Sequence, residues 1–168
     1  MLPSPRRATT LQANDKNGIS QHRTAIMPQK ITTGFKQLVA DAKAQEQEYE
    51  APEAVKLHGD PNIVLIDLRD PRELEREGKI PGAQHVTRGM LEFWIDPESP
   101  YHKPFFAEDK KFVFLCAGGW RSALAAKTAQ DMGLKPVAHV IGGYKAWKDA
   151  GGPVVEPPAA DKDKAKKA

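Results

Sequence analysis

Lys111-Phe-Val-Phe-Leu-Cys116-Ala-Gly-Gly-Trp-Arg121-Ser122-Ala-Leu-Ala-Ala126 is the stretch on which the reading of the whole chain turns. Lys111 to Leu115 has the form of a short apolar strand buried on both faces of a parallel sheet. The chain's one cysteine stands where that strand ends, and a six-residue loop with two glycines runs from Cys116 to Arg121. Ser122 then opens a helix through Met132, with Gly133 as its stop signal. A glycine-rich loop between a strand end and a helix start can turn its N–H groups inward. With the positive end of the helix dipole, they form a nest for an anion. A thiol in such a nest is favoured as thiolate, the nucleophilic form. Arg121 adds a permanent positive charge suited to an oxyanion. A free cysteine after an apolar run is often a small core residue, but such a residue has no use for the glycines, the arginine and the helix start.

Spacing narrows the chemistry. Phosphatase loops that grip a phosphate run C-x5-R, whereas Cys116 and Arg121 here enclose one residue fewer. A smaller ring of amides suits a smaller cargo, such as a single sulfur atom carried on Cys116 as a persulfide. In this the chain resembles the rhodanese family, whose active loop usually reads C-R-x-G-x-R-[ST]; Gly119, Arg121 and Ser122 match that pattern. Ala117 stands in place of the usual arginine, which leaves the preference for thiosulfate open. The resemblance implies a sulfurtransferase with Cys116 and Arg121 as catalytic residues. Ala117, Gly118, Gly119, Trp120 and Ser122 would form the loop that binds the anionic sulfur, and no metal or organic cofactor would be required. A partner-loaded sulfur carrier with little thiosulfate activity is the alternative reading, favoured by Ala117 and the neutral, aromatic Trp120. A cysteine phosphatase or arsenate reductase shares the nest, but the short loop and the lack of a histidine before Cys116 argue against it.

Three further motifs follow in the family's order. Ile63-Val-Leu-Ile reads as a second buried strand, leaving Asp67 and Arg69 beyond its carboxyl end, the family's D-x-R. The pair is read as a salt bridge fixing the loop, from where Asp67 can also orient the active loop or Arg121. Ile80-Pro-Gly-Ala-Gln-His85 resembles I-P-G-A-x-H; Pro81 and Gly82 are turn chemistry, and His85 is structural in the family. Gly142-Gly143-Tyr-Lys-Ala-Trp147-Lys-Asp-Ala-Gly151-Gly-Pro-Val154 matches the terminal motif, with Trp147 packing inward. The resemblance covers roughly residues 50–155. It implies a five-stranded parallel sheet with helices on both faces, while the pattern of elements alone reaches α/β.

The other segments are less distinctive. Residues 1–33 are polar and low in aromatics and are expected to be disordered, as are 157–168. Residues 34–156 form the expected domain. They include a helical lead-in over 34–49, capped by Thr32 or Thr33, with Phe35, Leu38, Val39 and Ala42 on one face. His58, near the end of a short helix begun at Pro52, is read as a surface residue. Met90, Leu91, Phe93 and Trp94 suggest a short packed helix within residues 88–110. That connection is read either as bordering the pocket or as an aromatic-anchored surface excursion.

Composition sets bounds. One cysteine excludes an intramolecular disulfide and a multi-cysteine metal site. The net charge of +3 is held by the ends: residues 1–33 carry five basic residues against one acidic, and 157–168 four against two. The middle is left with 16 basic and 19 acidic residues, and no basic, aromatic-laced surface argues for nucleic acid. No apolar run approaches the roughly 18–20 residues needed to span a membrane. Arg6-Arg7 lacks the apolar stretch of a secretion signal, so the cytoplasm is the expected compartment. The arginine-bearing, acid-poor start also fits organelle import. Met27 offers an alternative start for the native chain. The expected partners are a small sulfur donor and a thiophilic acceptor, with a protein in either role as an option.

Overall fold

The computed structural model describes residues 29–157. Five parallel strands form one sheet in the order β1-β5-β4-β2-β3: β1 is Gln47–Tyr49, β2 Ile63–Asp67, β3 Gln84–His85, β4 Lys111–Leu115 and β5 Val137–Val140. The two apolar runs singled out by sequence are β2 and β4, paired from Ile63–Lys111 to Asp67–Leu115 at the middle of the sheet. Their alternate side chains serve both faces. Val64, Ile66, Phe112 and Phe114 pack on one side, under helices α4 (Leu91–Ile95) and α5 (Trp120–Asp131). Leu65, Val113 and Leu115 pack on the other, under α2 (Ala51–Lys56) and α6 (Gly143–Asp149). Each large apolar side chain fully buried this way contributes about 1.5–3 kcal/mol over leaving it exposed. Ala125, Ala126 and Ala129 give α5 a small-residue face that lets it lie close on the sheet. Trp147 is fully buried, as the terminal motif predicts.

The lead-in departs from expectation. Helix α1 covers Phe35–Lys43 and is capped by Gly34 without a side-chain bond, not by Thr32 or Thr33. Val39 and Ala42 are buried against α5, but Phe35 and Leu38 stay about half exposed. The predicted continuation to Tyr49 is instead β1, an edge strand that lies along β5 with Glu48 opposite His139. Gln47-Glu48-Tyr49 has no apolar alternation to announce a strand; β5 supplies the pairing its backbone needs, which is a tertiary fact. His58 also differs from its reading. Its Nε2 donates to the Pro81 carbonyl at 2.8 Å and its ring meets the Trp147 edge, so it joins the Ile80 turn to α6.

Residues 88–110 form a 3-10 turn over Arg88–Met90, then α4, then a second 3-10 turn over Pro104–Ala107. Leu91 and Ile95 are the buried residues of α4, while Phe93 is 53% exposed. Phe105 and Phe106 stack in sequence onto Phe112. The excursion is thus anchored by aromatic contacts to β4. Helix α3 (Pro71–Glu77) carries a capping box between Asp70 and Glu73.

Candidate active site around Cys116

Cys116 emerges from the end of β4, the central strand, with 1% of its surface exposed. The loop after it is pinned from outside. Tyr144 N–H donates to the Cys116 carbonyl at 2.7 Å, and Lys145 N–H donates to the Ala117 carbonyl at 3.3 Å. These are N–H groups of the first turn of α6, which lack partners within the helix, so loop and helix satisfy each other. The approach needs glycine: a Cβ on Gly143 would stand 2.2 Å from the Cys116 carbonyl oxygen. The terminal motif is therefore the support of the loop after Cys116 as well as the close of the fold.

Inside the loop, Gly119 N–H donates to Cys116 Sγ at 3.1 Å. Gly119 is the N-cap of α5 at φ 100°, a left-handed turn that brings this N–H back over the sulfur. The helix begins at Trp120, two residues earlier than the predicted Ser122. A cavity of about 350 Å³ opens to the surface, lined by Cys116, Gly118, Trp120 and Arg121. Residues 88–110 do not line it. Trp120 is 59% exposed at the rim, with its ring 4.9 Å from that of Phe35.

Arg121 does not stand free. Glu73 on α3 accepts from Nη1 at 2.7 Å and from Nη2 at 2.8 Å, a two-pronged ion pair. The hydrogen bond from Arg121 chiefly holds the Glu73 carboxyl down at about 2, and the same bond raises the guanidinium above its ordinary value. Glu73 also accepts from Asp70 N–H in the capping box, so one carboxylate caps the start of α3 and aims the arginine.

Asp67 and Arg69 form the expected salt bridge. It is buried, with contacts from 2.7 to 3.2 Å, and Arg69 also donates to the Gly78 carbonyl. The Arg69 guanidinium lies 3.5 Å from the Tyr144 ring centroid. The pair thus reaches the loop through Tyr144, not through Arg121. His85 donates to the Arg69 carbonyl at 2.8 Å, a structural placement away from the sulfur.

Ser122 faces inward. The Cys116 thiol donates to its Oγ at 3.6 Å, Ser122 donates to the Gly119 carbonyl at 3.1 Å, and His139 Nδ1 lies 3.4 Å from the same oxygen. His139 in turn donates from Nε2 to Glu48 at 2.7 Å, with Glu46 at 3.6 Å. Burial pushes His139 below its ordinary value, against the pull of Glu48.

Sequence reasoning missed four of these residues. Glu73 was visible as the acidic partner of a D-x-x-E capping box after Asp70. His139 was visible as a lone polar residue inside an apolar strand. Glu46 and Glu48 were hidden by the helix extended over them. Among the described residues there is no group of three or more His, Cys, Asp or Glu arranged to hold a metal ion. Among them, too, no helix is long and apolar enough to cross a membrane.

Known proteins resemble this chain in sequence and fold. A family model for the rhodanese-like domain matches residues 50–150. A mitochondrial thiosulfate sulfurtransferase from Saccharomyces cerevisiae is 32% identical over 105 residues, covering 60% of this chain and 70% of its own. Among solved structures, a protein of unknown function from Rhodopseudomonas palustris, described as a possible tyrosine phosphatase, is 62% identical. It aligns with a TM-score of 0.75 over 77% of this chain and 99% of that one. The polysulfide-sulfur transferase homodimer of Wolinella succinogenes is 33% identical, with a TM-score of 0.58 over 74% of this chain and 89% of that one.

Proposed function

The chain belongs to the rhodanese-like domain family, and from that premise we propose that it moves a sulfane sulfur from a donor to a thiophilic acceptor through a persulfide on Cys116. The observation that carries the reading is the hydrogen bond from Gly119 N–H to Cys116 Sγ, in a loop that opens on a cavity with Arg121 at its edge. Donation to sulfur, the dipole of α5 and the nearby guanidinium favour negative charge at this place, first on a thiolate and then on a persulfide.

Two displacements make the cycle. The Cys116 thiolate attacks the outer sulfur of a donor such as thiosulfate. A new S–S bond forms, the donor's S–S bond breaks, and sulfite leaves with the electron pair. A nucleophile, cyanide or a thiolate, then attacks the outer sulfur of the persulfide and returns the Cys116 thiolate. The kinetics are ping-pong. Arg121, aimed by Glu73, binds the donor's oxyanion or the departing sulfite.

A second reading has a specific observation behind it. Glu73 already matches the charge of Arg121, Ala117 adds none, and Trp120 and Phe35 make the rim aromatic. Such a mouth suits a neutral or protein-borne persulfide better than a dianion, as in a partner-loaded sulfur carrier. The phosphatase description of the Rhodopseudomonas relative is disfavoured for this chain by the loop, which has four residues between Cys116 and Arg121.

Intact mass after exposure to thiosulfate or to a small persulfide, on wild type and Cys116→Ser, tests the proposal. The expected result is the gain of one sulfur atom on the wild type alone, removed by cyanide as thiocyanate. Loading by the persulfide and not by thiosulfate selects the carrier reading. No loading from either donor, with hydrolysis of an aryl phosphate, overturns both.

A further inference from the structure

His139 lies on β5 beneath the active loop, fully buried, with a partner at each ring nitrogen. Glu48 takes the Nε2 proton at 2.7 Å, so in the neutral ring the lone pair is on Nδ1, facing Ser122 Oγ at 3.4 Å. Ser122 Oγ in turn receives the Cys116 thiol at 3.6 Å. Oxygen, imidazole and carboxylate form one connected path leading from the sulfur into the protein, away from the substrate cavity.

A second acidic side chain stands at the far end. The Glu46 side chain is fully buried, 3.6 Å from His139 Nε2, and neither of its oxygens has a hydrogen-bond partner. A histidine with a merely structural task needs one acceptor at Nε2, and Glu48 is that acceptor. An additional buried carboxylate without a hydrogen bond costs stability. It becomes favourable when the imidazole it faces carries a positive charge.

From this juxtaposition we propose that Ser122 and His139, backed by Glu48 and Glu46, relay the thiol proton of Cys116 inward when the nucleophile is generated. The Ser122 hydroxyl first turns from the Gly119 carbonyl to His139 Nδ1; the Cys116 S–H proton then passes to Ser122 Oγ as the Ser122 O–H proton passes to Nδ1. The products are a thiolate, an unchanged serine and an imidazolium whose Nε2–H faces Glu48 at 2.7 Å and Glu46 at 3.6 Å. The proton returns by the same path, and no oxidant or reductant is involved. His139 acts on the sulfur through Ser122, as a positioning residue.

Charged groups face the relay from two sides. On the β1 side they are Glu46 and Glu48, with Lys43 of α1 paired to Glu48 at 3.0 Å and Lys127 of α5 acting on Glu46. On the loop side it is Cys116, through Ser122. Burial, and next the charge of Glu48, push Glu46 up to about 8, and burial depresses His139. At neutral pH the resting site therefore holds a neutral imidazole able to accept a proton.

The inference rests on Cys116 being the nucleophile, and its test needs no sulfur donor. Alkylation of the full chain by iodoacetamide is followed by intact mass as a function of pH, and the single cysteine makes the readout unambiguous. His139→Gln and Ser122→Ala are each expected to slow alkylation at neutral pH by about tenfold or more and to move the profile up by about one pH unit. Ser122→Thr, which keeps the hydroxyl, should retain the wild-type profile. Far-UV circular dichroism and thermal melting check that each variant is folded. Should His139→Gln not fold, Ser122→Ala decides, because it removes a single oxygen. Profiles of folded variants that superimpose on the wild type overturn the relay. A wild type that shows the expected profile but takes sulfur from no donor overturns the sulfurtransferase reading and leaves the relay standing.

Discussion

Glu73 grips Arg121 with both carboxylate oxygens, at 2.7 and 2.8 Å, across 48 residues of sequence. A bidentate pair of this kind fixes the guanidinium plane as well as its position. It also ties the stability of α3 to the loop that follows Cys116, because the same carboxylate caps that helix.

The Glu73 pair should be visible in acid. The carboxyl lies at about 2 when folded against its ordinary 4.5, so its contribution is fully present above 4.5 and is lost as pH falls toward 2. Melting temperatures of wild type and Glu73→Gln are expected to differ most above pH 4.5 and to converge near pH 2. Equal differences across that range would show that the pair contributes nothing.

Glu46 has the opposite sign. Its folded value of about 8 lies above the ordinary 4.5, so its contribution is present below 4.5 and is lost as pH rises through 8. Glu46→Gln removes the ionisation and should make the protein more stable than wild type by about 1–3 kcal/mol above pH 8, with little difference near pH 4. Denaturant melts at the two pH values check this; a variant less stable in alkali contradicts it.

Gly143 is the tightest point of the loop's support. A Cβ there would stand 2.2 Å from the Cys116 carbonyl oxygen and 2.8 Å from the Ala117 carbonyl, at φ 59°. Gly143→Ala should cost about 2–4 kcal/mol and slow persulfide formation by about tenfold or more, because the loop must move off α6 to make room. Chemical denaturation and the rate of sulfur loading measure the two effects separately.

Ala117 follows Cys116 in the loop but is not one of the residues lining the cavity. Ala117→Arg restores the cation usual at this place in the family and should lower the KM for thiosulfate about tenfold. Loading from a small neutral persulfide should change much less. Steady-state kinetics with both donors, at two ionic strengths, would reveal the electrostatic origin.

Much of the fold was legible because its signals are local. Val64 to Ile66 and Phe112 to Leu115 are continuous apolar runs, which only a sheet covered on both faces accommodates. The glycine loop after Cys116 and the paired glycines before Tyr144 are breaks in regular structure that the backbone itself demands. Asp67 and Arg69, two residues apart at a strand end, were read as a salt bridge for the same reason, and they form one. Segments without such signals were misread. Glu46 to Tyr49 continues a polar stretch that suits an exposed helix, and its extended form exists only because β5 offers an unpaired edge.

The sequence by itself determined the sheet's central strands, the cysteine at the end of one of them and the glycine loop around it. Each follows from hydrophobic runs, chain stiffness and turn chemistry acting over a few neighbouring residues. Only the tertiary structure decided the partners of that loop: Glu73 on Arg121, α6 on the Cys116 and Ala117 carbonyls, and His139 with Glu48 and Glu46 behind Ser122. These contacts join residues from different strands and helices. Their geometry depends on how the elements pack, and burial gives the charges and hydrogen bonds among them their strength.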